Sequence, residues 1–151
     1  MFNVNLFGKK EESIESRIEK LKEADVIFVA DVFSEEYIGG AELTTECFYL
    51  KENIKDRNIL NYKVAKIKSS EVTVELVQLL IKKYWVFFNF SNLNNQLIPS
   101  IISNINYSIV EYDYKFCKYR STEKHKEIEN KECNCRDEIQ GKIVSAFMYA
   151  A

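Results

Sequence analysis

The run Ala24-Asp25-Val26-Ile27-Phe28-Val29-Ala30-Asp31-Val32-Phe33, followed by a loop that closes on Gly39-Gly40-Ala41-Glu42, decides the fold of this chain. Residues 25–30 are apolar almost throughout, without the alternation that a half-exposed strand shows. An unbroken short apolar run fits a strand covered on both faces, as at the centre of a parallel sheet. The glycine pair then opens a helix. The first N–H groups of a helix have no partner inside it, so they can face a sugar or a phosphate.

Outward from this strand the pattern repeats. Residues 9–23 read as a charged helix with Ile14, Ile18 and Leu21 on one stripe. Residues 41–51 read as a helix with Leu43, Cys47 and Leu50 on one face, which makes Cys47 a core thiol. Residues 62–67 alternate as a second strand. Residues 70–83 follow as a helix with Val74, Val77, Leu80 and Ile81 inward and Ser69 or Ser70 as its N-cap. Residues 85–90 are a third apolar strand, 92–95 a polar break, and 97–103 a helix that tolerates Pro99 in its first turn. Residues 107–112 are a fourth strand. Residues 113–137 are polar and irregular, a length that a compact domain seldom leaves without a clamp. Residues 138–151 close the chain as a helix with Ile139, Ile143, Ala146, Phe147 and Ala150 on one side.

Strand–helix alternation of this kind predicts an α/β fold: an open, mostly parallel, Rossmann-like sheet with helices on both faces, plus a Cys/His-rich loop. Residues 1–23 read as an N-terminal helical extension and 24–151 as the domain.

The bulk numbers narrow the function classes. A chain of 151 residues holds one domain's core, and 46% hydrophobic with 29% charged residues is ordinary for a globular protein. Gly (4) and Pro (1) are too scarce for long linkers. Net charge is −2 and the pI is about 5.6, so the basic excess of a nucleic-acid-binding surface is missing. The richest basic stretch, 115–126, also contains Glu123 and reads as a solvated loop. The N-terminal residues lack the pattern of a secretory signal, and no uncharged apolar run approaches the length of a membrane span. A cytoplasmic location is the expectation, and thiols there stay reduced.

In that setting Cys117, His125, Cys133 and Cys135, spaced C-x7-H-x7-C-x-C, read as ligands of a structural zinc ion or as free thiols beside a histidine. His125 is the chain's one histidine. A Cys117–His125 nucleophilic pair is a further reading, which leaves the other two cysteines unexplained. Ligands of open α/β sheets bind beyond the carboxyl ends of the strands, where 31–40, 89–95 and 111–115 meet. Gly39 and Gly40 permit close approach and positive φ there. Asp31, Glu111 and Asp113 are the carboxylates at strand ends, and Glu42 sits in a first helical turn, where the dipole favours it. The loop is neither G-x-G-x-x-G nor a Walker loop.

These motifs resemble the N-terminal domain of family 4-type glycosyltransferases, enzymes of two Rossmann-like domains. Residues 33–42, ending Gly-Gly-Ala-Glu, look like that family's glycine loop. Glu111-Tyr112-Asp113-Tyr114, followed by Cys117, Cys133 and Cys135, is similar to its His-Asp-Tyr step and cysteine-rich loop. The resemblance spans about residues 24–151. It implies transfer of a sugar from a nucleotide-sugar donor to a glycan or lipid-linked acceptor. Gly39, Gly40 and Glu42 would contact substrate, Tyr112 and Asp113 would line the catalytic cleft, and Asn89, at its strand end, is a further expected substrate contact. Tyr112 stands where the family has a histidine, and a phenol cannot reproduce an imidazole's acceptor–donor pair. The resemblance also implies that the C-terminal donor domain is missing, so the chain would transfer little alone. Peripheral contact with a membrane and a homodimer are further partner expectations. The competing function is a non-catalytic, zinc-stapled α/β interaction module.

Overall fold

The computed structural model describes residues 13–53 and 62–151, with side chains 48–53 left aside. Residues 9–12 of the expected first helix and the side chain of Leu50 lie outside the described residues.

The chain folds as α/β, with a four-stranded, all-parallel sheet flanked by helices. The strands are β1 (Val26–Ala30), β2 (Val64–Lys68), β3 (Tyr84–Phe87) and β4 (Asn106–Ile109). Their order across the sheet is β2-β1-β3-β4. Helix α1 (Ile14–Glu23) precedes β1, and α2 (Gly40–Asn53) joins β1 to β2. Helices α3 (Val74–Leu79) and α4 (Ile98–Asn104) make the next two crossovers. Helices α5 (Thr122–Glu129) and α6 (Ile139–Tyr149) follow β4.

β1 bonds to β2 on one side and β3 on the other, with Val29 opposite Ile67 and Phe87. This central position explains its unbroken apolar run. The step from β1 to β2 runs across the sheet opposite to the steps through β3 to β4. Right-handed crossovers therefore put α2 on one face and α3 and α4 on the other. The larger core unites Leu21, Val77, Ile98, Ile101, Val144 and Phe147 with Ile27, Val29, Trp85 and Phe87. Its centre is aromatic: Phe147 lies 5.0 Å, centroid to centroid, from Phe87, Phe90 and Tyr107. The Tyr107 hydroxyl donates to the Phe147 carbonyl at 3.0 Å. The opposite face holds Phe28, Ala30, Phe33 and Phe88.

Several local expectations change. Strands β3 and β4 end sooner than the apolar runs do. Each keeps one more ladder bond, Phe88 N–H to Val29 and Val110 N–H to Phe87. The helix expected over 70–83 shrinks to α3. Residues Ser69–Glu71 form a separate 3₁₀ turn, in which Glu71 accepts from the Lys68 N–H at 3.2 Å and pairs with Arg17. The N-cap of α3 is Thr73, accepting from Leu76 N–H at 3.3 Å, not Ser69 or Ser70. Thr73→Ala should cost about 1 kcal/mol by chemical denaturation. Val74 and Ile81, expected inward, are exposed, whereas Val77 and Leu80 are buried.

Cys47 is exposed, and so is Leu43, because α2 turns Thr45 rather than Cys47 toward the sheet. Helix α6 buries Gly141, Val144 and Phe147. Ile143 is half-buried, while Ile139, Ala146 and Ala150 are exposed. The expected apolar stripe was rotated because it ignored glycine as a contact residue.

The segment 113–137 is not irregular throughout. It contains α5, with Ser121 as N-cap and Asn130 in the left-handed conformation (φ 52°) just past its end. The one buried residue of α5 is His125. An eight-residue helix without an apolar stripe is marginal by itself. Its one buried anchor is His125, and at its far end Glu129 accepts from Lys118 and Tyr119, each at 2.7 Å.

Candidate functional site

The described residues offer two candidate sites. The first is the Cys/His cluster. Cys117 follows β4, His125 sits on α5, and Cys133 and Cys135 lie between α5 and α6. One ligand atom from each of the four residues falls within 4.8 Å of all the others. His125 Nδ1 lies 3.7 Å from Cys117 Sγ and 3.5 Å from Cys135 Sγ. A tetrahedral ion with S and N ligands at about 2.3 and 2.0 Å sets an S···N separation of about 3.5 Å, so these residues fit one. Cys117, His125 and Cys135 are buried and Cys133 is half-buried.

One sulfur, that of Cys117, is held toward the thiolate form. Burial pushes the Cys117 thiol up, but the Tyr119 main-chain N–H and the neighbouring thiols outweigh it and hold it below its ordinary value. Burial holds the Cys133 thiol above its ordinary value, against an N–H from Cys135. As a neutral thiol, Cys117 also lies 3.4 Å from the Ser121 carbonyl. His125 Nε2 is buried with no hydrogen-bond partner among the described residues, and the Tyr119 ring stands edge-on at 5.5 Å. The group can hold a metal ion such as zinc.

The second site is the rim itself. The topological switch point, where ligands of open α/β sheets settle, lies between the ends of β1 and β3. Asp31 sits there. Its carboxylate accepts from the Ser91 and Asn92 N–H groups, each at 2.9 Å, and from the Ser69 hydroxyl. The strand-end carboxylate thus ties three connections together. Asn89 is half-buried just ahead of Ser91.

Of the predicted substrate contacts, Gly39 precedes α2 and Gly40 begins it, and neither has positive φ. A side chain at Gly39 would meet Glu42 Oε2 at 2.5 Å and the Tyr37 ring at 2.8 Å, whereas Gly40 faces open space. Close approach, not a left-handed bend, is what Gly39 supplies. Tyr112 reaches this same place: its hydroxyl is 3.2 Å from that of buried Thr45, one turn into α2. Burial and the Glu42 charge hold the Tyr112 phenol above its ordinary value, although the Thr45 hydrogen bond works the other way. Asp113 turns to its own loop, bonding Lys115 at 2.7 Å and lying 3.6 Å from Arg120. Glu111 is exposed.

The loop before Gly39 is strapped to β2. Lys66 pairs with Glu35 at 2.8 Å and Glu46 at 2.7 Å, and Lys68 with Glu36 at 2.7 Å. Burial pulls Lys66 down, but its two carboxylate partners prevail and raise it above 10.5. A raised pKa means that this contribution to stability is complete below the unfolded value and fades as pH rises through the folded one. Wild type should therefore lose more stability than Lys66→Met when melting temperatures are followed through the alkaline range, and equal losses would deny the strap a role.

Thr45, Lys66, Ser91 and Arg120 were not picked out from sequence. Each is an ordinary polar residue whose partner is remote in the chain, so no local signal marks it. Between α1 and α3 runs a groove of about 360 Å³, lined by Ile14, Ile18, Leu76 and Leu79 among others, and no lining residue belongs to the rim site. No helix among the described residues is long and apolar enough to cross a membrane. The chain matches no protein-family model, no curated protein and no solved structure.

Proposed function

We propose that this chain is the acceptor-side half of a glycosyltransferase, acting on a glycan or lipid-linked acceptor, with the nucleotide-sugar donor held mainly by a second domain. The observation that carries the reading is the Thr45–Tyr112 contact. It brings Tyr112, of the Tyr-Asp step, against α2, the helix that the glycine pair opens, and so supports a sugar cleft between the two. In the reaction, an acceptor hydroxyl forms a bond to the anomeric carbon as the bond to the nucleotide phosphate breaks. The hydroxyl proton leaves with a base or the departing phosphate. Tyr112, neutral at physiological pH, offers a hydrogen bond to a sugar hydroxyl. In this reading Gly40, which faces open space, lets that sugar approach the backbone, Gly39 packs against Tyr37 and Glu42, and Glu42 and Asn89 would accept and donate bonds.

The ion we assign to the Cys117/His125/Cys133/Cys135 group is zinc in a closed, structural site. It supplies no reaction and holds the segment 113–137 in place.

A second reading, a zinc-stapled interaction module without catalysis, is favoured by Asp31 and Asp113, which both engage internal partners rather than facing the rim freely. Titration of the metal-loaded chain with oligosaccharides and with nucleotide sugars, followed by amide NMR, separates the two. The glycosyltransferase reading expects acceptor-dependent shifts in 33–42 and 111–113, weakened about tenfold by Tyr112→Phe. No binding, and no turnover when a nucleotide-sugar-binding domain is added, would leave the interaction module.

A further inference from the structure

The metal cluster and the switch point are joined by a continuous chain of hydrogen bonds. The Cys117 N–H donates to the Tyr114 carbonyl at 2.9 Å, and the Arg120 N–H returns to the Cys117 carbonyl at 2.9 Å. The Tyr114 N–H in turn donates to the Arg120 carbonyl at 3.2 Å. This double turn forces Arg120 into the left-handed region, φ 58°, which a residue with a long side chain rarely adopts. The strain has a visible result. From that position the Arg120 guanidinium leaves the cysteine loop and donates to the Ser91 hydroxyl at 2.7 Å. Its other nitrogen lies 3.6 Å from Asp113. Ser91 in turn donates its N–H to Asp31 at the end of β1.

We infer that Arg120 is a positioning residue through which metal occupancy of the cysteine/histidine cluster sets the loop after β3 and hence the switch-point crevice. Arg120 touches neither the metal nor a substrate. Its side chain reaches the rim because Cys117, three residues earlier, is anchored. Without an ion, the loop containing Cys117 has only Phe116, Cys117 and part of Tyr119 in the core, and α5 has only His125 to bury. The left-handed turn then relaxes, Arg120 withdraws, and the Ser91 hydroxyl loses its donor. The ion thereby acts on the rim at a distance, without being part of it.

This inference rests on the metal reading above, and its test separates the two. Metal content per chain is measured first, and then hydrogen exchange in three samples: the zinc-loaded chain, the chain stripped by a chelator, and zinc-loaded Arg120→Ala. The expectation is one zinc in both wild type and Arg120→Ala. Amides of 88–93 should exchange about tenfold faster in Arg120→Ala than in wild type, and at least as fast in the stripped chain. Amides of β1 and β2 should hold in Arg120→Ala. Arg120→Lys, which keeps the charge but not the fork, should restore little. Failure to bind metal overturns the metal reading and this inference with it. Zinc bound, with 88–93 unchanged in Arg120→Ala or in a stripped chain that stays folded, overturns the inference alone. Should the stripped chain unfold altogether, 88–93 unchanged in zinc-loaded Arg120→Ala still overturns the inference.

Discussion

In the zinc-loaded chain, one thiol of four is expected to react with a thiol reagent, and that thiol is Cys47, the exposed one. After a strong chelator, all four should react. Cys117, Cys133 and Cys135 converge with His125 in a space that fits one ion. The energetic consequence is large. Structural zinc sites in small peptides contribute on the order of 10–16 kcal/mol, and a domain is stable by only about 5–15 kcal/mol. Cys117→Ala, at one of the three buried members of the cluster, should remove metal binding and lower the melting temperature by more than 10 °C, on the order expected for several kcal/mol in a domain of this size. Cys47→Ser should do neither. The prediction is lost if the loaded chain exposes four reactive thiols, or if Cys117→Ala retains one zinc.

Gly141→Ala is the second substitution with a large expected effect. An added Cβ would lie 1.7 Å from the Cys135 carbonyl oxygen, 2.7 Å from its carbon and 3.3 Å from Arg136 Cα. All three are backbone atoms, so no side chain can swing aside. Either α6 moves off the 3₁₀ turn Cys135–Asp137 or the turn moves off α6. The first opens the aromatic core around Phe147, and the second displaces a metal ligand. Overpacking of this kind costs about 3 kcal/mol or more. Because Cys135 is in the clash, zinc affinity should fall together with stability. Gly40→Ala is the matched control: nothing lies within 4 Å of the added atom, and alanine favours a helix. It should be neutral or slightly stabilising. A Gly141→Ala protein with wild-type melting and wild-type zinc affinity would contradict the packing described for α6.

The same glycine shows where a sequence reading stops. Periodicity places a helix over 138–151, and of its expected face Phe147 is buried and Ile143 half-buried against the core. It leaves out Val144 and Gly141, and the missing side chain of Gly141 is what lets the Cys135 turn touch the helix. The serine and threonine caps show a related limit. Thr73 and Ser121 are ordinary N-cap residues, but Ser69 and Ser70 look equally good on the page. Only the distant Asp31 carboxylate, which takes the Ser69 hydroxyl, removes Ser69 from the competition. Helix α5 was missed because its inward face is a single histidine. A helix held by ligation rather than by an apolar stripe leaves no amphipathic signal.

The order of elements, the parallel character of the sheet and the grouping of three cysteines with one histidine follow from local composition: unbroken apolar runs, their spacing, and the scarcity of cysteine elsewhere. The chain alone determined these because each depends on residues near one another in sequence. Which helix face turns inward, how Arg120 comes to lie beside Ser91, why Tyr112 meets Thr45 and what Asp31 holds were decided by tertiary structure. Those contacts join residues tens of positions apart, and they exist only after the strand order β2-β1-β3-β4 has brought the four carboxyl ends to one rim.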